Sequence, residues 1–336
     1  MSSASLDRLL AILVVAMAAS GLLTLRAGSP GSGWVYIAHG LLAGALAAAV
    51  VLKVRSSVGR AVGARRWGRL VLGLVVTLIA AAALTGGFLW VASGDLLMLG
   101  TFTILTLHAW VGLALVPLVA VHLLPKRWRL LRPGRAAVQR AGGRLVSRRA
   151  LLSGAGLAAA GIGLFGVAAV VERARGGERR FTGSRWLAPG GVPPTTTFFG
   201  EPAPPVDAES WRVNVTGLVE RPAALTVAAL RALGETERQA VLDCTSGWAI
   251  DTAWRGVPLA AVLDAAGVSA GARDVTVRSA TGWVAHLPLA EARGCHLATG
   301  VAGADLPIGN GAPVRLVVPD RRGLDWVKWV TAIEVA

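Results

Sequence analysis

Five apolar stretches, at 9–25, 35–52, 70–92, 102–124 and 150–171, dominate the first half of this chain. Each approaches or exceeds the ~18–20 apolar residues that carry a helix across a bilayer. Backbone in lipid must satisfy its own hydrogen bonds, which leaves such stretches little choice but the helix. After Val171 no stretch of this kind recurs, and the pattern becomes that of a soluble domain. The expected fold is an N-terminal all-α transmembrane bundle of five crossings, followed by a C-terminal α+β domain built on a mixed sheet.

The formal net charge of +15 invites a nucleic-acid partner, but its distribution excludes one. From Glu172 onward basic and acidic residues are equal in number, so the whole excess lies in the apolar half. Lys53, Arg55, Arg60, Arg65, Arg66 and Arg69 fill one loop, and a second basic loop runs from Lys126 to Arg149. The opposite loops hold only Arg26. Short loops rich in Lys and Arg stay in the cytoplasm. The N-terminus is therefore expected inside, in a plasma membrane, with residues 172–336 outside.

Three of the five histidines, His39, His108 and His122, fall in the apolar stretches, where ionisable residues are rare and default to functional candidates. His39 lies about 6 Å below the outer face and His108 about 9 Å, at 1.5 Å of rise per residue. Two histidines on different helices at matching depth suit the axial positions of one b-type haem. His122 follows His108 by fourteen residues, about 21 Å of rise, and Lys53 stands at the same offset from His39. That spacing resembles a diheme cytochrome b bundle with one inner histidine replaced. Lys53 is expected to extend toward the cytoplasmic headgroups. Gly40, Gly44, Gly73, Gly86, Gly87 and Gly112 offer close approach to a macrocycle or a neighbouring helix.

In the C-terminal half, Cys244 sits in Asp243-Cys244-Thr245-Ser246-Gly247-Trp248, after the apolar run Ala240, Val241, Leu242. Downstream come Trp254-Arg255-Gly256-Val257-Pro258-Leu259, then Asn310-Gly311-Ala312-Pro313-Val314-Arg315, then Trp326-Val327-Lys328-Trp329-Val330. In that order these blocks resemble the molybdopterin-binding domain of the sulfite oxidase superfamily. The closest likeness is to the catalytic subunits of periplasmic methionine sulfoxide reductases, here joined to a cytochrome b-like membrane domain. The likeness covers roughly 211–335.

On its own, a lone cysteine reads as a small hydrophobe. The resemblance implies instead that Cys244 is catalytic and ligates molybdenum in a molybdenum–molybdopterin cofactor. It implies that Asn310, Arg315 and Lys328 hold the pterin's anionic end. Ser279 and Thr281 would lie near the metal, and Thr197 and Phe198 would touch the pterin from an extended segment. Arg315 has independent support, because an unpaired charge inside so apolar a run would be costly. Trp248 and Trp283 read equally as pocket wall and as core. Cys295 reads as structural rather than as a disulfide partner.

True sulfite oxidases follow the cysteine with an Ala-Gly-Asn-Arg-Arg run, whose arginines hold a dianion. Here Thr245-Ser246-Gly247-Trp248 follows, and no arginine comes until Arg255. The expected reaction is reduction of an uncharged sulfoxide or related S- or N-oxide, with electrons from quinol through the haem. The alternative is a sulfite or other small-substrate dehydrogenase that passes electrons to quinone. A non-enzyme alternative is an exported binding module on a degenerate molybdopterin fold.

Four regions follow: a four-helix cytochrome b-like domain at 1–146, a fifth segment at 147–171, a linker and docking segment at 172–210, and the molybdopterin domain at 211–336. Ser147-Arg148-Arg149 before the fifth segment resembles a twin-arginine export signal, here internal and uncleaved. Within the last region, period-two alternation predicts a strand at 211–219, and further strands are expected at 239–244, 274–279, 283–287, 314–318 and 327–335. Helices are expected at 225–233, with Thr226 as N-cap, and at 259–266, ending at Gly267.

Overall fold

The computed structural model describes residues 3–63, 67–100, 102–124, 148–175, 177–196 and 200–336. The chain divides into two compact units, one of Met1–Thr24 with Gly31–Gly177, the other of Leu25–Pro30 with Glu178–Ala336.

The first unit is helical. Helices α1 (Ser3–Thr24), α2 (Trp34–Gly63), α3 (Trp67–Ala92), α4 (Ile104–Leu123) and α5 (Arg148–Arg175) match the five apolar stretches. All five are long and apolar enough to cross a membrane. A two-strand hairpin, β1 (Met98–Leu99) with β2 (Phe102–Thr103), precedes α4. Thr103 caps that helix, its hydroxyl accepting from the Thr106 N–H.

Inside the unit, Leu13, Leu46, Ala80 and Leu115 pack as a core, while Ile12, Leu78 and Ile162 stay exposed. Such an apolar exterior is what a lipid solvent allows and water does not. Helices α2 and α5 approach backbone to backbone: a Cβ at Gly44 would lie 2.5 Å from the Gly161 carbonyl oxygen. Gly40 similarly accommodates the Phe165 ring. Lys53 corrects its expectation. It does not reach outward but pairs with Asp7 of α1, both side chains largely buried. An opposite charge within reach outweighs extension toward headgroups.

The second unit holds two sheets. In the five-stranded sheet, β4 (Val213–Gly217), β5 (Ala223–Leu225), β8 (Asp274–Ser279), β9 (Val284–Pro288) and β13 (Val330–Val335) run in the order β5-β4-β13-β8-β9. Only the β4–β13 pairing is parallel. In the six-stranded sheet, the path is β11 (Ala304–Asp305), β10 (His296–Val301), β7 (Trp248–Pro258) and β3 (Arg185–Trp186). Two more strands attach to it, β6 (Thr236–Asp243) on β7 and β12 (Arg315–Val317) on β10.

Short helices α6 (Val227–Ala232), α7 (Leu259–Ala266) and α8 (Leu289–Ala292) join these strands. Thr226 caps α6 through a 3.0 Å bond from the Ala229 N–H, as its sequence position predicts. Gly267, with φ of 68°, ends α7 in the left-handed conformation that side chains resist. Strands β7 and β10 were not expected. β10 is buried along its whole length and lacks the alternation that marks a half-buried strand, whereas β7 alternates buried and half-buried positions from Ile250 to Gly256.

Candidate active site and a histidine pair in the helical unit

Strands β6 and β7 form a hairpin whose turn is Cys244-Thr245-Ser246-Gly247. The Cys244 N–H donates to the Trp248 carbonyl at 2.8 Å, and Gly247, with φ of 96°, returns its N–H to the Cys244 carbonyl at 2.9 Å. Glycine supplies the positive φ that the turn demands. The cysteine thus stands at the tip of a rigid hairpin, its thiol 3.6 Å from the Thr196 hydroxyl and 3.4 Å from the Ser246 N–H. Trp248 Nε1 donates to the same Thr196 hydroxyl at 2.7 Å.

The thiol faces a cavity of about 250 Å³. Its lining draws together Cys244, Trp248, Trp283, Asn310, Arg315 and Lys328. Both tryptophans therefore wall this space; Trp283 is fixed by its Nε1 bond to the Leu324 carbonyl at 2.8 Å. Asn310 is buried, donating to the Pro193 carbonyl at 2.9 Å and accepting from the Thr195 hydroxyl at 3.3 Å.

Arg315 enters from β12 and is 4% exposed. Its Nη1 donates to the Asn310 carbonyl at 2.9 Å, and its guanidinium lies against the adjoining Trp254 and Trp326 rings, 5.4 and 5.8 Å from their centroids. Nε has no hydrogen-bond partner among the described residues. Burial pushes its pKa down to about 10, against the pull of nearby Cys244. Lys328 donates to the Gly309 carbonyl at 2.8 Å and lies over the Trp329 ring. Burial, then the charge of Arg315, pushes its pKa down to about 8, opposed by Cys244 and Glu201. Trp329 holds φ of 51°, a strained conformation for a bulky residue, immediately after the lysine.

Among the described residues neither Arg315 nor Lys328 forms an ion pair with a carboxylate. A buried and a half-buried cation beside a thiol, with an orphaned N–H, make a place for a group that carries an anion and a metal a thiolate can ligate. The donor set fits a molybdopterin, whose phosphate is anionic and whose metal takes a thiolate. Coordination deprotonates such a thiol outright.

Other expected positions fall elsewhere. Ser279 and Thr281 do not line the cavity; they bond each other at 2.9 Å, and Thr281 donates to Glu201, which does line it. Thr197 and Phe198 lie outside the described residues. Arg315 and Lys328, expected to hold the pterin's anionic end, stand in the same cavity as Cys244, brought there by β12 and the segment before β13 from seventy and more residues away.

Thr196, Glu201, Asp243 and Arg322 were missed. Asp243 carried a signal, an acid ending an apolar strand, where burial would demand donors. Cys295 is buried between α8 and β10, its thiol donating to the Glu291 carbonyl at 3.4 Å and its pKa pushed up to about 12 by burial, which makes it inert.

In the helical unit, the His39 and His108 rings stand with centroids 6.1 Å apart and planes at 89°. Ser20 Oγ lies 3.1 Å from the Met17 carbonyl and 2.8 Å from His39 Nδ1. His108 Nδ1 donates to the Ala83 carbonyl at 2.7 Å. The neutral His108 ring thus keeps Nε2 as its lone-pair nitrogen, and both rings are oriented through Nδ1, as metal-binding imidazoles are. Gly87 gives the His108 ring its room: a Cβ there would lie 3.0 Å from Cε1. His122 lies against Gly73 instead.

Comparison with known proteins agrees with the geometry of the C-terminal unit. Residues 200–336 match the family model described as the oxidoreductase molybdopterin binding domain. The uncharacterized oxidoreductase YuiH of Bacillus subtilis is 31% identical over 131 residues, 38% of this chain and 66% of that protein. The protein-methionine-sulfoxide reductase catalytic subunit MsrP of Xanthomonas campestris is 32% identical over 141 residues, 37% of this chain and 44% of that protein. A putative protein-methionine-sulfoxide reductase subunit of Azospira oryzae, YedZ1, is 30% identical over 132 residues, 39% of this chain and 50% of that protein. The matched segments thus span between 44% and 66% of these relatives' lengths. Over residues 200–336 the chain is thus similar to molybdopterin-binding oxidoreductase domains, and its five apolar helices are those of a membrane protein.

Proposed function

We propose that this protein is a membrane-bound molybdenum-cofactor oxidoreductase that reduces a sulfoxide or related S- or N-oxide with electrons from quinol. The observation that carries the reading is the convergence of Cys244, Asn310, Arg315 and Lys328 on one tryptophan-walled cavity. Cys244 holds the metal. Asn310, Arg315 and Lys328 hold the anionic end of the cofactor, with Thr197 and Phe198 closing the pterin side and Ser279 and Thr281 acting through Glu201. When bound, the cofactor supplies an exchangeable oxygen site and a two-electron redox couple. In the net reaction the S–O bond breaks and sulfur gains two electrons. The oxygen leaves as water with two protons, while quinol gives up two electrons and two protons. Trp248 and Trp283 exclude water from the cavity, and Lys328 stands ready to hold a proton beside the thiol.

The helical unit supplies the electron path. His39 and His108 would hold one b-type haem, which would supply one-electron transfer there. The 6.1 Å approach of the two rings, each oriented through Nδ1, supports this reading. The N-terminus lies in the cytoplasm and residues 172–336 outside, on the strength of the basic loops. Arg148 and Arg149 serve as a twin-arginine signal that exports the folded domain. Its test is Arg148→Lys with Arg149→Lys, which should leave active domain undelivered.

A second reading has a specific observation in its favour. Arg315 and Lys328 in the cavity suit an anion such as sulfite, oxidised with electrons passed to quinone. One optical titration decides between them. The detergent-solubilised chain is reduced, its haem band recorded, and methionine sulfoxide added. Reoxidation of the haem establishes the reductive direction. A haem that stays reduced, but becomes reduced by sulfite from the oxidised state, establishes the other. Absence of molybdenum from the purified chain would overturn both.

A further inference from the structure

The Cys244 turn is clamped by a buried ionic cluster that belongs to neither the cavity nor the cofactor contacts. Asp243 is fully buried. Its Oδ2 accepts from Arg180 Nη1 at 2.6 Å and from the Thr182 hydroxyl at 2.8 Å, and its Oδ1 accepts from the Ser184 hydroxyl at 2.6 Å. Arg322 Nη2 lies 3.4 Å from Oδ1 and donates to the Cys244 carbonyl at 2.7 Å. The backbone repeats the pattern. Gly323 donates to the Asp243 carbonyl at 2.7 Å, and Arg185 donates to the Gly247 carbonyl at 2.9 Å. Both flanks of the turn are therefore tied to two distant segments, 180–185 and 322–323.

A buried carboxylate accepting this many bonds satisfies its lone pairs and costs little; stripped of its donors it would be strongly unfavourable. The sheets do not need it, since β6 and β7 already pair from Thr236↔Gly256 to Asp243↔Ala249. What the cluster adds is a fixed place for the residue after Asp243. The segment 180–185 also lies outside the matched residues 200–336, so this clamp is supplied by the part of the chain that follows α5.

We propose that Asp243 is the positioning residue for Cys244 and that 180–185, through Arg180, Thr182 and Ser184, is an obligatory part of the active centre. The inference rests on the reading of Cys244 as the metal-binding thiol. In the full chain, Asp243 sets the direction and exposure of that thiol before any cofactor arrives.

The test uses the full-length chain in detergent, isolated from cells grown without molybdate and probed with iodoacetamide. Cys295, buried and inert, is an internal monitor of folding in the same molecule. In Asp243→Asn, Cys244 should be alkylated several-fold faster than in the wild type while Cys295 remains unlabelled. Chain from molybdate-grown cells should lose molybdenum about tenfold more readily, the usual scale for removing a partner that orients a ligand. Unchanged labelling of Cys244 with Cys295 protected would overturn the proposal.

If Cys295 also becomes reactive, the fold has been lost. The double variant Thr182→Val, Ser184→Ala, which keeps both arginines, then decides by the same criterion. A wild type that holds no molybdenum would sink the cofactor reading and leave the labelling comparison standing, so the two failures are distinct.

Discussion

The helical unit and the cavity of the C-terminal unit hold ionisable groups in opposite ways. In the helical unit His39 has Ser20, His108 has the Ala83 carbonyl, and Lys53 has Asp7. In the cavity buried Arg315 and half-buried Lys328 have backbone carbonyls and aromatic rings and no carboxylate in an ion pair among the described residues. Lipid punishes every unsatisfied polar group, so polar residues between apolar helices are few and complete their bonds locally. A mixed-sheet unit in water can hold charge in reserve for a ligand, since the rest of its core covers the cost. The helical unit thus sets two neutral imidazoles face to edge, and the other sets two cations beside a thiol.

The sharpest way to break this contrast is at the thiol. Cys244→Ser should lower turnover by more than about a hundredfold, beyond the 10–100-fold typical of a residue that only orients a ligand. The assay is a reduced dye as electron donor, alongside molybdenum per chain. Turnover at the wild-type level would leave the cavity without its proposed chemistry.

Next in size are His39→Ala and His108→Ala. Each should abolish the b-type haem band and quinol-driven turnover, while dye-driven turnover at the C-terminal unit persists. Loss of both activities together would mean that the units are not separable centres.

The histidines were legible because helical rise converts residue number into depth, and because an ionisable group among apolar residues is conspicuous. Four strands of the five-stranded sheet were legible, β4, β8, β9 and β13, and Thr226 and Gly267 by the chemistry of helix ends. Strands β5 and β10 were not, since β5 is three residues long and burial along all of β10 erases alternation. The cations of the cavity were legible through the family resemblance rather than through chain order: the four residues after Cys244 hold none, and the sheet delivers Arg315 and Lys328 to its side. The Lys53–Asp7 pair was equally hidden, since it joins residues forty-six apart on different helices.

A smaller effect sharpens the contrast through pH. Lys328, held near 8 by burial, carries its charge below that value and loses it as pH rises through about 8, whereas Arg315, held near 10, stays charged across the range. In the cofactor-free chain, protection of Cys244 from iodoacetamide by sulfate should therefore be strong below pH 8. It should weaken about tenfold in affinity above it, the scale of one charged hydrogen bond. In Lys328→Met protection should be weak throughout and independent of pH. A flat wild-type profile would show that the cavity's cations are not free to receive an anion.

The smallest expected effects separate the glycines of the helical unit by what each one faces. Gly87→Ala puts a Cβ about 3 Å from the His108 ring, whose Nδ1 is already tied to Ala83. The ring must tilt, at the roughly 1–3 kcal/mol typical of overpacking, and the haem band should shift or weaken with the helices intact. Gly112→Ala meets nothing within 4 Å, so its only effect is on backbone freedom. It should leave the haem unchanged and stabilise α4 by up to about 1 kcal/mol. Circular dichroism melts and the haem spectrum of the two variants, side by side, distinguish a glycine that makes room for a ligand from one that is merely tolerated. Identical spectra in both would mean that the approach of α3 to α4 at Gly87 does not set the histidine's place.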